Sequence, residues 1–122
     1  MITFKTSYTE EGNMKTIRDL QTELTVLKKE VFHEHPNAVW NPFSRALNVN
    51  EEAGEIAREE RIEMDFGQFD EDKAKDAVGD VLISTIGYCI ARGFDAQDIL
   101  EDIFGQLKER WKSGQFVGTD HY

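Results

Sequence analysis

Residues 70–93 read DEDKAKDAVGDVLISTIGYCIARG, and this stretch decides the fold. Asp70, Glu71 and Asp72 put negative charge at the start of a helix, where the positive end of its dipole favours it. Arg92 and Gly93 mark the end, because glycine readily supplies the left-handed conformation that closes a helix. In between, Ala74, Ala77, Val78, Val81, Leu82, Thr85 and Cys89 recur in steps of three and four and are predicted to face inward. Asp76 and Asp80 interrupt this apolar helix four residues apart, so they share a face. A carboxylate among apolar neighbours needs a partner, and a cation is the economical one.

The preceding segment supplies the complementary half. Asn41-Pro42 reads as an N-cap followed by proline in the first helical position, opening a second helix that runs to about Glu63. Its apolar side is thin (Phe43, Leu47, Ala53, Ile56, Ala57) and its acidic side dense (Glu51, Glu52, Glu55, Glu59). Ala53 and Gly54 are small enough to admit a neighbouring helix closely. Glu52 and Glu55, three apart, point the same way. With Asp76 and Asp80 they make four oxygen donors on two helices, a set that suits a hard cation such as Mg²⁺, with Mn²⁺ as a substitute. For any two glutamates on a helix a solvated acidic face is the commoner reading. The mid-helix setting of Asp76 and Asp80 is what favours the cation. Residues 64–69 are expected to form a loop turning at Gly67, pinned by Phe66 and Phe69.

Two more helices flank this pair. Thr16-Ile17-Arg18-Asp19 caps the first, which starts at Met14 or Thr16 and buries Ile17, Leu20, Leu24, Leu27 and Val31. His35-Pro36-Asn37 ends it, since the residue before proline avoids the helical region. Asp95 caps the last helix, with Asp98 three residues on, and Ile99, Ile103, Leu107 and Trp111 carry its stripe beside Leu100 and Phe104. Gly114 closes it. Residues 1–13 read as an arm in which Ile2 and Phe4 alternate with polar residues. Residues 115–122 read as a polar tail with Phe116 and Val117 as docking points. Four amphipathic helices on short loops predict a single all-α domain over residues 1–122, built on a four-helix core bundle.

Composition narrows the function classes. The 122 residues carry a net charge of −10 and the pI is about 4.7, so the surface repels nucleic-acid phosphates and no nucleic-acid partner is expected. Cys89 is the only cysteine, which rules out an intrachain disulfide and a thiolate zinc site. No 18-residue apolar run exists and the start lacks an apolar signal core, so no membrane partner and a cytoplasmic location are expected. Glu30 and His33 form a Glu-x-x-His fragment of the di-iron bundle pattern, but neither His35 nor His121 supplies a second pair. No glycine-rich phosphate loop is present, and Ser84, Thr85 and Cys89 read as packing residues.

The acidic segments resemble those of the MazG-like nucleotide pyrophosphohydrolases, an all-α superfamily that includes dimeric dUTPases and dCTP pyrophosphatases. Glu52 and Glu55, within Glu-Glu-x-Gly-Glu, are similar to the first half of its motif. Asp80, in Gly79-Asp80-Val81-Leu82, is similar to the end of the second half. Ala91-Arg92-Gly93-Phe94-Asp95 resembles the family's break before its last helix. Lys108-Glu109-Arg110 and Gly114-Gln115-Phe116-Val117 resemble the C-terminal pattern of small phage-type members. The resemblance covers roughly residues 44–117. It departs at Ala77, where the family has a glutamate; Asp76, one residue earlier on the same face, is the substitute, and its shorter side chain reaches a metal through water.

This resemblance implies Mg²⁺-dependent cleavage of a nucleoside triphosphate to the monophosphate and pyrophosphate. It makes Glu52, Glu55 and Asp80 metal ligands and Asp76 a ligand or a base acting beside them. Lys108 and Arg110 are expected either to face the triphosphate from the last helix or simply to complement its dipole. Trp40, Phe43 and Trp111 are candidates for a flat wall against the base. For Trp111 core packing is the favoured reading, while Trp40, in the loop before the second helix, stands evenly between lining and packing. Asn48, one turn before Glu52, is a candidate for a hydrogen bond to base or ribose. A homodimer or homotetramer is expected, with an active site that borrows residues from a partner copy. The competing readings are a non-catalytic helical oligomerisation or regulatory protein that retains an acidic face, and an iron-binding carboxylate bundle.

Overall fold

Thr16 and Asp19 close on one another: the Thr16 backbone N–H donates to Asp19 Oδ2 at 2.8 Å and the Asp19 N–H donates to Thr16 Oγ1 at 3.1 Å. This reciprocal box starts α1, Ile17–Glu34, where the sequence puts it. The computed structural model describes residues 12–34 and 40–114. The expectations for the arm up to residue 11, the break at His35-Pro36-Asn37 and the tail lie outside the described residues.

Asn41 caps α2, Pro42–Phe66, by accepting from the Ser44 N–H while Ser44 Oγ accepts from the Asn41 N–H. The helix runs past Glu63 through Met64, Asp65 and Phe66, so half of the expected loop is helical. It stops where the reading put the turn, at Gly67 in the left-handed region (φ 69°). Asp70 then caps α3, Glu71–Arg92, which Gly93 ends at φ 72°. Asp95 caps α4, Ala96–Lys112. The protein is all-helical over the described residues, with no strand among them.

The helices do not close into a symmetric bundle. α2 and α3 pack as an antiparallel hairpin, α1 lies against α3, and α4 touches α1. α4 leaves α3 at 110°. Its base is held by α1: Arg18 Nε donates to Asp95 Oδ2 at 2.8 Å and Nη2 to Asp98 Oδ1 at 2.6 Å. Gln21 Nε2 donates to the Phe94 carbonyl at 2.7 Å and Gln21 Oε1 accepts from the Ala96 N–H at 2.9 Å. The Arg18 guanidinium holds the Asp95 carboxyl below its usual range, helped by the Asp98 N–H.

Burial departs most from the sequence reading. Ala77 (2% exposed) and Cys89 (6%) are the buried hydrophobic residues among those described. Val78, Leu82 and Thr85, expected inside, lie exposed. So do Leu20, Leu27 and Val31 of α1, Ile99 and Ile103 of α4, and Phe43 and Leu47 of α2. Trp111, expected in the core, is 78% exposed, and Phe66 and Phe69 do not pin the turn beneath them. The physical reason is the arrangement: α1 and α4 sit at the margins of one hairpin, and no facing helix among the described residues covers their stripes. No single helix among the described residues is long and apolar enough to cross a membrane.

Candidate metal centre

The inner seam of the hairpin is polar. Along α2, residues 45, 48, 52, 55 and 59 step by three and four, which puts them on one face. That face meets α3 in order. Near the N-terminus of α2, Arg45 and Trp40 lie against Gly87; a Cβ built there would stand 3.2 Å from Trp40 Cζ2 and 3.6 Å from Arg45 Cδ. One turn on, Asn48 Nδ2 donates to Ser84 Oγ at 2.7 Å, and Ser84 is buried. The next turn brings Glu52 and Glu55 to Asp80, with one carboxylate oxygen from each of the three lying within 4.8 Å of the others. Ala77 and Gly87, both on α3, are buried small residues of the seam. Ala53 and Gly54, expected to admit the neighbouring helix, are exposed, and a Cβ on Gly54 meets nothing within 4 Å.

Glu52 bears the strain of this cluster. It is half-buried, and its Oε2 is enclosed with no hydrogen-bond donor among the described residues. Asp80 lies beside it, and two carboxylates can share a hydrogen bond only when one holds a proton. Burial first, then the charges of Glu55, Asp80 and Glu51, push the Glu52 carboxyl above its ordinary value. An enclosed acceptor facing two further anions fits a bound cation. Octahedral Mg²⁺ or a cation of similar size, with metal–oxygen distances of about 2.1 Å, needs ligand oxygens about 3.0 Å apart when adjacent and about 4.2 Å apart when opposite. The spacing of the three oxygens accommodates that.

Asp76 stands one turn further along α3. It is not among the three clustered residues, but it lines a cavity of about 280 Å³ with Glu55, Arg58, Glu59, Lys73, Ala77 and Asp80. Glu59, which the sequence put on the acidic side of α2 but outside the ligand set, lines the same cavity. It is only 7% exposed, and no described residue gives it a hydrogen bond or an ion pair. Its place four residues after Glu55 on the same face was the available signal.

The other sequence candidates lie outside the three-carboxylate cluster. Trp40 is enclosed: Arg45 lies over its ring at 4.6 Å, Lys28 at 5.5 Å, and Phe32 meets it edge-on at 6.4 Å. The Asn48 amide is engaged by Ser84. Lys108 rests over the Phe104 ring at 4.7 Å. Arg110 lines a separate concavity of α4 with Asp102, Gly105, Gln106 and Glu109. His33 lies in the last turn of α1, exposed, and takes no part in the cluster. No protein-family model matches this chain, and no curated protein or solved structure matches it either.

Proposed function

We propose that the protein is a divalent-cation-dependent nucleoside triphosphate pyrophosphohydrolase, producing the monophosphate and pyrophosphate. One observation carries the reading: Glu52, Glu55 and Asp80 converge from two helices, and an oxygen of Glu52 is enclosed with no donor among the described residues. Such a set suits a hard cation. The resemblance of the surrounding residues to MazG-like enzymes supplies the substrate class. Glu52, Glu55 and Asp80 would hold Mg²⁺ or Mn²⁺, with Asp76 within reach of the same cavity. A cation bound there lowers the pKa of water and clamps phosphate oxygens. In the reaction, the oxygen of water bonds to the α-phosphorus and the bond from that phosphorus to the α,β-bridging oxygen breaks. The electron pair leaves with pyrophosphate and the proton of water passes to a base. Asp76, one turn from Asp80 and lining one cavity with Glu55 and Asp80, is the group of this chain we assign to that proton.

The proposal includes a homodimer or homotetramer. A chain of this length ordinarily buries about two-thirds of its surface, whereas here each of the four helices leaves large apolar side chains open. A second copy of the chain would cover the stripes of α1 and α4.

Turnover of each common NTP and dNTP with Mg²⁺ tests the reading. Pyrophosphate release that vanishes in Glu55→Ala supports it. No turnover, together with a melting temperature indifferent to Mg²⁺ and Mn²⁺, would replace it with the non-catalytic oligomerisation or regulatory protein.

A further inference from the structure

We propose that Arg58 and Lys73 grip the phosphate chain of the substrate beside the Glu52–Glu55–Asp80 cluster. This rests on the triphosphate reading of that cluster and adds to it the residues that hold the anion.

Both residues line the cavity of about 280 Å³ shared with Glu55, Glu59, Asp76 and Asp80. Arg58 lies three residues after Glu55 on α2, and Lys73 three before Asp76 on α3, so the two helices present one cation each at the same end of the seam. Neither side chain forms an ion pair with a described residue, although four carboxylates line the same cavity. Glu59, nine-tenths buried and with no hydrogen-bond or ion-pair partner among the described residues, also lines this cavity. Cations and anions that line one cavity without neutralising each other match a ligand of mixed charge: a phosphate chain with its own divalent ion.

The electrostatics require such residues. A triphosphate keeps net negative charge after binding one divalent ion, and the protein carries −10. Carboxylates alone would repel the phosphates that the cation does not touch. The Arg58 guanidinium can take two phosphate oxygens at once, while the Lys73 ammonium acts as a point charge. When pyrophosphate leaves, negative charge grows on its oxygens, and cations already in place stabilise it. The cations of α4 do not offer this: Lys108 lies on Phe104 and Arg110 lines a concavity made of α4 residues alone.

Calorimetric titration of the full chain separates the two claims. Mn²⁺ is titrated alone, then inorganic pyrophosphate at saturating Mn²⁺, for wild type, Arg58→Gln, Arg58→Lys and Lys73→Gln. The expected result is unchanged Mn²⁺ affinity in all four, with pyrophosphate bound about tenfold to a hundredfold more weakly by Arg58→Gln and Lys73→Gln. Arg58→Lys should recover part of the loss. Retained Mn²⁺ binding certifies an intact fold in each variant. Wild-type pyrophosphate affinity in both Gln variants overturns the inference while leaving the metal centre standing. Parallel loss of Mn²⁺ and pyrophosphate also overturns it, because the residues would then be structural. A wild-type protein that binds no Mn²⁺ overturns the metal centre itself, and this inference with it.

Discussion

The side-chain amide of Asn48 donates a 2.7 Å hydrogen bond to the hydroxyl of Ser84, and one further turn along each helix brings Glu52 to Asp80. The neutral pair therefore sets the register in which the charged residues meet. Asn48→Ala leaves a buried hydroxyl without this partner, which costs about 1–3 kcal/mol. Denaturant unfolding should show that loss, and Mn²⁺ affinity should fall with it as the carboxylates drift apart. A raised KM for nucleotide at unchanged stability would instead assign Asn48 to the substrate.

Asp80→Ala removes a ligand and a repelling charge together. Turnover should fall to background, while stability without divalent ions stays level or rises. Turnover near that of wild type would exclude Asp80 from the ligand set.

The raised pKa of Glu52 gives a pH signature. Because the folded value lies above the unfolded one, Glu52 favours the fold most when protonated. That contribution is lost as pH rises through the folded value. In chelator, the melting temperature should therefore gain a contribution on acidification from neutral pH towards the ordinary carboxylate range, one that Glu52→Gln abolishes. Protons compete with the metal, so Mn²⁺ affinity should decline over the same interval. A flat affinity there would detach Glu52 from the metal.

Gly87→Ala tests the upper end of the seam. The added carbon would stand 3.2 Å from Trp40 Cζ2, tighter than ordinary contact, and the ring is flanked by Arg45 and Lys28. Overpacking of this kind costs about 1–3 kcal/mol. The change should also lower the tryptophan near-ultraviolet signal, and a fully stable variant would mean that the ring shifts freely.

Sedimentation at micromolar concentration checks the assembly. A dimer or tetramer is expected, and charged substitutions at Leu27 or Ile103, both exposed on their stripes, should dissociate it. A stable monomer would leave those stripes unexplained.

The helices were legible because their signals are local. Thr16, Asn41, Asp70 and Asp95 cap, and Gly67 and Gly93 stop, where residue chemistry dictates. The shared face of Glu52 and Glu55 was legible because helical spacing fixes it; their meeting with Asp80 crosses two helices, which spacing alone does not fix, and Asp76, expected with them, stays outside the cluster. Burial was not: a periodic stripe says that a side will be covered, without saying by what. Val78, Leu82 and Trp111 show the difference. The surroundings of Trp40 were equally hidden, because the contact with Gly87 joins residues distant in sequence and leaves no periodic trace.

The matched steps at Gly87 with Arg45, Ser84 with Asn48 and Asp80 with Glu52 make one ruler serve two purposes. Lengthening the turn after Gly67 would leave that ruler intact, so extra residues are tolerable there. A single residue inserted within either rod, between positions 45 and 52 or 80 and 87, would rotate everything beyond it by about 100°. Fold and chemistry would be lost in the same event, and the sequence can drift around this ladder far more easily than along it.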